Sequence, residues 1–346
     1  MLETKGYAAF DSNSPLRPFS FARRDPGPRD VQIDILYCGV CHSDLHQVRN
    51  EWHGTKYPLV PGHEIVGRVA AVGAEVKKLR VGDNAGVGCF VGSCRDCAAC
   101  RQGLEQYCER GFVGTYNGVD ADGKPTHGGY SNRIVVDEHF ALKIAAAERL
   151  DAVAPLLCAG ITTWSPLKHW KIGKGHRVAV LGLGGLGHMG VKLAHALGAE
   201  VTMLSSSAAK KADATRLGAS DFIVTSDGAA MKKAGSRFDF ILDTVSAQHD
   251  INALAGLLRQ DGTLVLLGAP PKPHELGAFS LIYRRRNLSG SLVGGLSETQ
   301  EMLDFCAAKG ITADVETIPI QQIDKAYERM LKGDVRYRFS IDLASL

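Results

Sequence analysis

Four thiols crowd one segment, Cys94-Arg95-Asp96-Cys97-Ala98-Ala99-Cys100, completed by Cys108. Their spacings of two, two and seven residues let a single loop close a tetrahedron of sulfur around one zinc ion. With every position taken by protein, such a site admits no water or substrate and is structural. A ferredoxin-type cluster opens in a similar way, but here no proline follows the last cysteine and no second set exists. Upstream lie Cys38-Gly39-Val40-Cys41-His42-Ser43-Asp44-Leu45-His46 and Pro61-Gly62-His63-Glu64. A catalytic zinc takes about three protein ligands and keeps one position open. Cys41 and His63 are candidates for two of them and Cys158 for the third, provided the fold brings them together. Taken alone, Cys158 more often reads as a small buried hydrophobe, and His63 as a structural histidine.

A third signal is Val178-Ala179-Val180-Leu181-Gly182-Leu183-Gly184-Gly185-Leu186-Gly187. Gly182, Gly184 and Gly187 fit G-x-G-x-x-G, with Gly185 and Leu186 inside the turn, directly after a strand and before a helix. That arrangement suits a dinucleotide pyrophosphate held at a helix N-terminus. The next strand ends in Met203-Leu204-Ser205-Ser206-Ser207-Ala208-Ala209-Lys210-Lys211, without the carboxylate that holds the ribose of NAD. Ser205, Ser206, Lys210 and Lys211 suit a 2′-phosphate instead, which favours NADP. The plainer alternative has the serines capping the following helix and the lysines solvated.

The elements that must position these residues change in kind along the chain. Residues 1–150 read as short β segments, among them 31–36, 65–72 and 132–136, which predicts a partly open barrel or rolled antiparallel sheet. From 151 to 289, strands at 177–182, 201–204, 222–224, 238–242 and 262–267 alternate with helices at 187–197, 208–217 and 251–258. This rhythm predicts a doubly wound parallel sheet of the Rossmann kind. After residue 290 the sequence suggests one helix, 297–309, then short strands and a tail.

Composition narrows the function. The chain has 346 residues, enough for two domains at about 150 each. A net charge of +3 is too small to mark a nucleic-acid footprint. The longest uncharged run, 152–167, is broken by Pro155 and Pro166 and is too short to span a bilayer. No secretory signal opens the sequence, so a soluble, cytoplasmic protein is expected. Nine cysteines, an odd number in that setting, argue for metal binding or catalysis over disulfides.

Taken together, the four-cysteine loop, the Cys/His/Cys set, the glycine turn, the Ser205-Ser206-Ser207 segment and Asp334-Val335-Arg336-Tyr337-Arg338-Phe339 resemble the zinc-dependent medium-chain alcohol dehydrogenases. Within them the chain is similar to the cinnamyl alcohol dehydrogenase-like, NADPH-dependent aldehyde reductases, from about residue 7 to 342. The resemblance implies an α/β protein with a GroES-like catalytic domain, 1–150 plus 290–346, and an NADP-binding Rossmann domain, 151–289, the active site lying in the cleft between them. It implies two zinc ions per chain. Cys41, His63 and Cys158 would hold the catalytic one, with Glu64 an alternate ligand. Cys94, Cys97, Cys100 and Cys108 would hold the structural one.

The resemblance also implies a proton relay from Ser43 through the cofactor ribose towards His46, with Asp44 orienting His63. His42 and Arg338 would touch the cofactor phosphates, Thr162 would lie near the nicotinamide, and Trp52 would line the substrate pocket. The substrate would be a small aldehyde or alcohol, and the assembly a homodimer. The competing readings are an NAD-linked polyol or secondary-alcohol dehydrogenase, and a non-catalytic zinc and nucleotide sensor.

Overall fold

The long strand Asp30–Val40 is the element on which the first half of the protein is built. In the computed structural model, which describes residues 1–120, 122–145 and 149–346, it pairs with three others: Ile65–Val72, Arg133–Asp137 and Arg338–Asp342. Its burial alternates through Val31, Ile33 and Ile35, then changes phase to Cys38 and Val40. Register shifts at Gln32/Ile33 and Ile35/Tyr37 against Ile65–Val72 accompany the change, since an extra residue turns the following side chains to the opposite face. The strand therefore delivers Val40 into the core and Cys41 to its edge.

Around this strand a seven-stranded sheet runs in the order Val315–Pro319, Arg338–Asp342, Asp30–Val40, Ile65–Val72, Asn84–Val87 and Leu142–Lys143, with Arg133–Asp137 also on Asp30–Val40. All its pairings are antiparallel except that of Val315–Pro319 with Arg338–Asp342. A separate hairpin, Leu2–Ala8 with Arg17–Arg23, was not distinguished in the sequence. The core holds Ile33, Leu45, Leu59, Ile65, Tyr130, Ile134 and Phe339. The four-cysteine loop forms its own small cluster beside the helix Ala98–Arg101.

The chain divides into two compact units, Met1–Ile161 with Gly294–Leu346, and Thr162–Val293. The first unit runs past residue 150 because the turns Leu150–Val153 and Ala154–Leu157 pack on Asp30–Val40. After Leu296–Lys309 the sequence suggested only strands and a tail. The structure corrects this with a further helix, Ile323–Leu331, which buries Ile323, Ala326, Tyr327 and Met330 at the i, i+3, i+4, i+7 spacing of an apolar stripe.

In the second unit six strands lie wholly parallel, in the order Asp221–Val224, Glu200–Ser205, Arg177–Leu181, Phe238–Asp243, Leu258–Leu266 and Asn287–Gly290. Numbered along the chain this order is 3-2-1-4-5-6, the doubly wound topology expected from the alternation of elements. The edge strand Asn287–Gly290 and the helix Gly228–Lys233 were not anticipated. Among the described residues no single helix is long and apolar enough to cross a membrane.

Phe339 is fully buried where the C-terminal strand meets Val40. Phe339→Ala is expected to destabilise the first unit by about 3–5 kcal/mol, measured as a lowered denaturation midpoint of its transition.

Candidate active site

Strand Asp30–Val40 ends at Cys41, which is also the N-cap of the helix His42–Val48. There Cys41 N–H donates to Asp44 Oδ2 at 2.9 Å, one half of a capping box. The same carboxylate is fully buried and reaches a second segment. Its Oδ1 accepts from Gly62 N–H at 3.1 Å and faces His63 Nδ1 at 3.2 Å. Gly62 is needed for this turn: its φ is +103°, and a Cβ there would stand 2.6 Å from the Tyr130 ring. Tyr130 hydroxyl completes the set by donating to Asp44 Oδ2 at 3.2 Å, and Tyr327 hydroxyl follows at 3.4 Å from Tyr130.

Held on Nδ1 by Asp44, His63 keeps Nε2 for another partner. Cys41, His63, Glu64 and Cys158 are all buried, and their ligand atoms lie within 4.8 Å of one another. Cys41 Sγ and Cys158 Sγ are 3.9 Å apart. Two thiolates on one tetrahedral zinc stand roughly 3.8 Å apart at bonds of about 2.3 Å, so the pair fits the ion without rearrangement. The electrostatics agree. The hydrogen bond from Cys158 holds the Cys41 thiol well below its usual range against the opposing effect of burial, and Arg338 and His63 add to it.

Glu64 pairs with Arg338, which the C-terminal strand carries into this buried site. Burial opposes the charge on Arg338, but Glu64 and the thiols of Cys41 and Cys158 outweigh it and raise its pKa. The family resemblance placed Arg338 at the cofactor phosphates; here it is 3% exposed and its side chain pairs with Glu64. Glu64 Oε2 is buried and unpartnered, an open acceptor beside the thiols.

Ser43 and His46 lie on one face of the same short helix. Ser43 Oγ is 3.5 Å from Cys41 Sγ, and His46 Nδ1 is 2.5 Å from Glu51 Oε2. The Trp52 ring stacks on His46 at 5.0 Å and is half exposed, while His42 is exposed with its ring 6.3 Å from that of His46.

In the four-cysteine loop all the ligand atoms again lie within 4.8 Å, with Cys94 Sγ and Cys100 Sγ 3.8 Å apart. Backbone N–H groups of Cys94, Cys97 and Cys100 point at the sulfurs of Cys108, Cys94 and Cys97. Donors from Cys100 and Glu109 bring the Cys97 thiol down to about 6, while the neighbouring Asp96 pushes that of Cys94 up to about 12.

In the second unit the glycine turn has the expected form. Gly182 has a φ of +89°, and a Cβ on Gly187 would stand 1.8 Å from Gly182 O. Among the described residues, its two chain neighbours aside, nothing lies within 4 Å of a Cβ built on Gly184, so the space above it is open. Leu186 is the N-cap of the helix Gly187–Ala196, and Gly185 precedes it in the turn. Ser205, buried at the end of Glu200–Ser205, accepts from Ser207 N–H at 3.2 Å through Oγ. Ser207 makes no side-chain cap, contrary to the plainer reading of the serines. Lys210 Nζ donates to Leu183 O at 2.8 Å, which ties it to the glycine turn; Ser206 and Lys211 are exposed. Thr162 is buried.

Some site residues were not read from the sequence. Tyr130 and Tyr327 behind Asp44 carried no signal beyond being aromatic. His188 Nδ1, 3.2 Å from Gly184 O, follows the glycine motif immediately and was legible as a neighbour of it. Cys89, given no role in the sequence, sends its thiol towards Leu157 O at 3.7 Å and is drawn down in pKa by Cys158.

Two family models match the chain: "Alcohol dehydrogenase GroES-like domain" over residues 27–146 and "Zinc-binding dehydrogenase" over residues 185–308. The chain belongs to the zinc-binding alcohol dehydrogenases. Among members of this family it is 56% identical to NADP-dependent alcohol dehydrogenase C 1 of Mycolicibacterium smegmatis, over 100% of this chain and 99% of that one. It is 54% identical to aldehyde reductase YahK of Escherichia coli, with the same shares covered. The cinnamyl alcohol dehydrogenase SbCAD4 of Sorghum bicolor superposes with a TM-score of 0.96 at 46% identity, covering 99% of this chain and 98% of that one. A cinnamyl alcohol dehydrogenase from Helicobacter pylori, solved with NADP(H), gives 0.93 at 43% identity, with 99% of each chain covered.

Asp44→Asn keeps the shape of the side chain but removes the anion facing His63. Zinc affinity at Cys41, His63 and Cys158 is expected to fall about 10- to 100-fold, read by chelator competition, while metal at Cys94, Cys97, Cys100 and Cys108 stays bound.

Proposed function

We propose that the protein is a zinc-dependent aldehyde reductase that uses NADPH and runs reversibly as an alcohol dehydrogenase. The observation that carries this reading is the convergence of buried Cys41, His63 and Cys158 around one point, with Asp44 behind His63. Three protein ligands leave one position for a substrate oxygen, which separates this cluster from the four-cysteine loop. When bound, zinc supplies a Lewis acid for the aldehyde oxygen and NADPH supplies the hydride.

The chain's own residues do the rest. Cys41 and Cys158 as thiolates offset the charge of the ion and leave a nearly neutral site from which an alcohol can depart. Asp44 fixes the tautomer and direction of His63. Ser43, beside Cys41, is suited to hand a proton towards the alkoxide, and His46 to exchange it with solvent, its ring aligned by Glu51. The balance is aldehyde, NADPH and one proton giving alcohol and NADP⁺.

Preference for NADPH is supported by a strand end that offers Ser205, Ser206, Lys210 and Lys211 and no carboxylate. Lys210, already bonded to the glycine turn, would supply a cation to a 2′-phosphate held there. The names of the relatives point the same way. A homodimer is supported by an apolar ridge on Ala278–Ile282 and the residue after it, where Phe279, Ile282 and Tyr283 are 72%, 65% and 81% exposed, next in the chain to the edge strand Asn287–Gly290.

NADPH oxidation with a panel of aromatic and aliphatic aldehydes tests the reading. NADPH is expected to exceed NADH in kcat/KM, and Ser205→Asp to cut the NADPH value at least tenfold, about 1.4 kcal/mol, while sparing NADH. Preference for NADH in the wild type would overturn the cofactor assignment. Ser43→Ala is expected to lower kcat about 100-fold with zinc retained. Phe279→Asp is expected to sediment as a smaller species than the wild type.

A further inference from the structure

At the carboxyl end of the strand Phe238–Asp243, within the second unit, three side chains that play no part in the chemistry above converge. Asp243, His249 and His274 bring their ligand atoms within 4.8 Å of one another. The hydrogen bonds there leave one positive charge unaccounted for. His249 Nδ1 lies 2.8 Å from Ala247 O, and since a carbonyl only accepts, the ring proton of the neutral imidazole sits on Nδ1. Its Nε2 then turns a lone pair on Asp243 Oδ2 at 2.7 Å, which is itself an acceptor.

Asp243 is 1% exposed, so water does not relieve this contact, and its Oδ1 is taken by Val245 N–H at 3.1 Å. His274 packs its ring 4.9 Å from that of His249. Both of its nitrogens are buried and neither has a hydrogen-bond partner. A buried polar atom left in that state calls for an explanation, an ion being one of the usual ones. A proton on His249 would satisfy Asp243 but would leave His274 as it is. A cation between the three would answer Asp243, the Nε2 lone pair of His249 and one of the two nitrogens of His274.

We propose that Asp243, His249 and His274 form a third metal site, which takes a divalent transition ion of the zinc, cobalt or nickel class. Two imidazoles and one carboxylate are the donors such ions prefer over magnesium or calcium. On a tetrahedral ion with bonds of about 2.0–2.1 Å, neighbouring donors stand roughly 3.3 Å apart, so the Asp243–His249 contact has only to open by about 0.6 Å. Three ligands leave one position for water. The site lies where the strand order of the sheet reverses, because Asp243 pairs with Leu181 at the end of the adjacent strand. Thr244, the next residue, bonds through Oγ1 to Leu181 O and Gly182 O, which places the ion beside the glycine turn.

The test uses the protein with zinc held in both cysteine-containing clusters, dialysed to equilibrium against micromolar Co²⁺ and analysed for both metals. One cobalt per chain is expected beyond the retained zinc, with visible d–d bands and no thiolate-to-cobalt charge-transfer band in the near ultraviolet. His249→Ala and His274→Ala are each expected to weaken that cobalt at least tenfold and to leave the retained zinc unchanged. The proposal is overturned if the wild type takes up no additional cobalt. It is equally overturned if the additional cobalt shows thiolate charge transfer, or binds both variants as tightly as the wild type. If a variant fails to fold, judged by far-ultraviolet circular dichroism, the wild-type spectrum decides.

Discussion

A single buried carboxylate ties the candidate zinc site together. Asp44 accepts from Cys41 N–H, Gly62 N–H and Tyr130 hydroxyl, and it faces His63 Nδ1. Cys41 ends one strand and starts a helix, while His63 sits in a glycine turn before the next strand. Nothing local would hold these two ligands at a common point. A carboxylate with no access to water must have each lone pair answered, so its four partners are fixed as a group. The position of the candidate metal ligands follows from that requirement.

The rest of the first unit reads as the means of burying this carboxylate and the ligands beside it. The phase change in Asp30–Val40 turns Cys38 and Val40 inward and leaves Cys41 at the strand's end. The C-terminal strand Arg338–Asp342 pairs with the same strand and carries Arg338 to Glu64, next to the thiols. A buried cation there favours the thiolate form of Cys41 and leaves Glu64 paired on one oxygen only. The second unit solves a different problem with the same economy of parts. Gly182 and Gly187 let a strand end and a helix start approach to within a distance no side chain permits, and Lys210 is drawn onto that turn.

How much of this the sequence disclosed depended on range. The four-cysteine loop was legible because its ligands are neighbours in the chain, and spacing alone states the tetrahedron. The glycine turn was legible because strand, turn and helix are consecutive. The parallel sheet followed from alternation, which gave five of its six strands and its doubly wound kind but not the edge strand Asn287–Gly290. Cys158 was different: 95 residues beyond His63, it could be named a ligand candidate but no spacing placed it, and by itself it resembles an ordinary buried thiol. Tyr130, Tyr327 and the Arg338–Glu64 pair were invisible for the same reason, since each depends on a contact closed by tertiary packing. Helix Ile323–Leu331 is a different kind of miss. Its apolar stripe was present, but four exposed or half-exposed charged positions and a short length hid it among strand signals. The trio of Asp243, His249 and His274 is spread over a strand end and two loops, so no spacing rule finds it.

The central claim is that aldehyde reduction depends on metal held by Cys41, His63 and Cys158 and not on metal held by the four-cysteine loop. Stepwise chelation, with turnover plotted against zinc per chain, tests it most directly. Turnover should fall in proportion to the zinc lost from Cys41, His63 and Cys158, whichever site is stripped first, and return when zinc is restored there. Turnover that persists after that ion has gone would contradict the account.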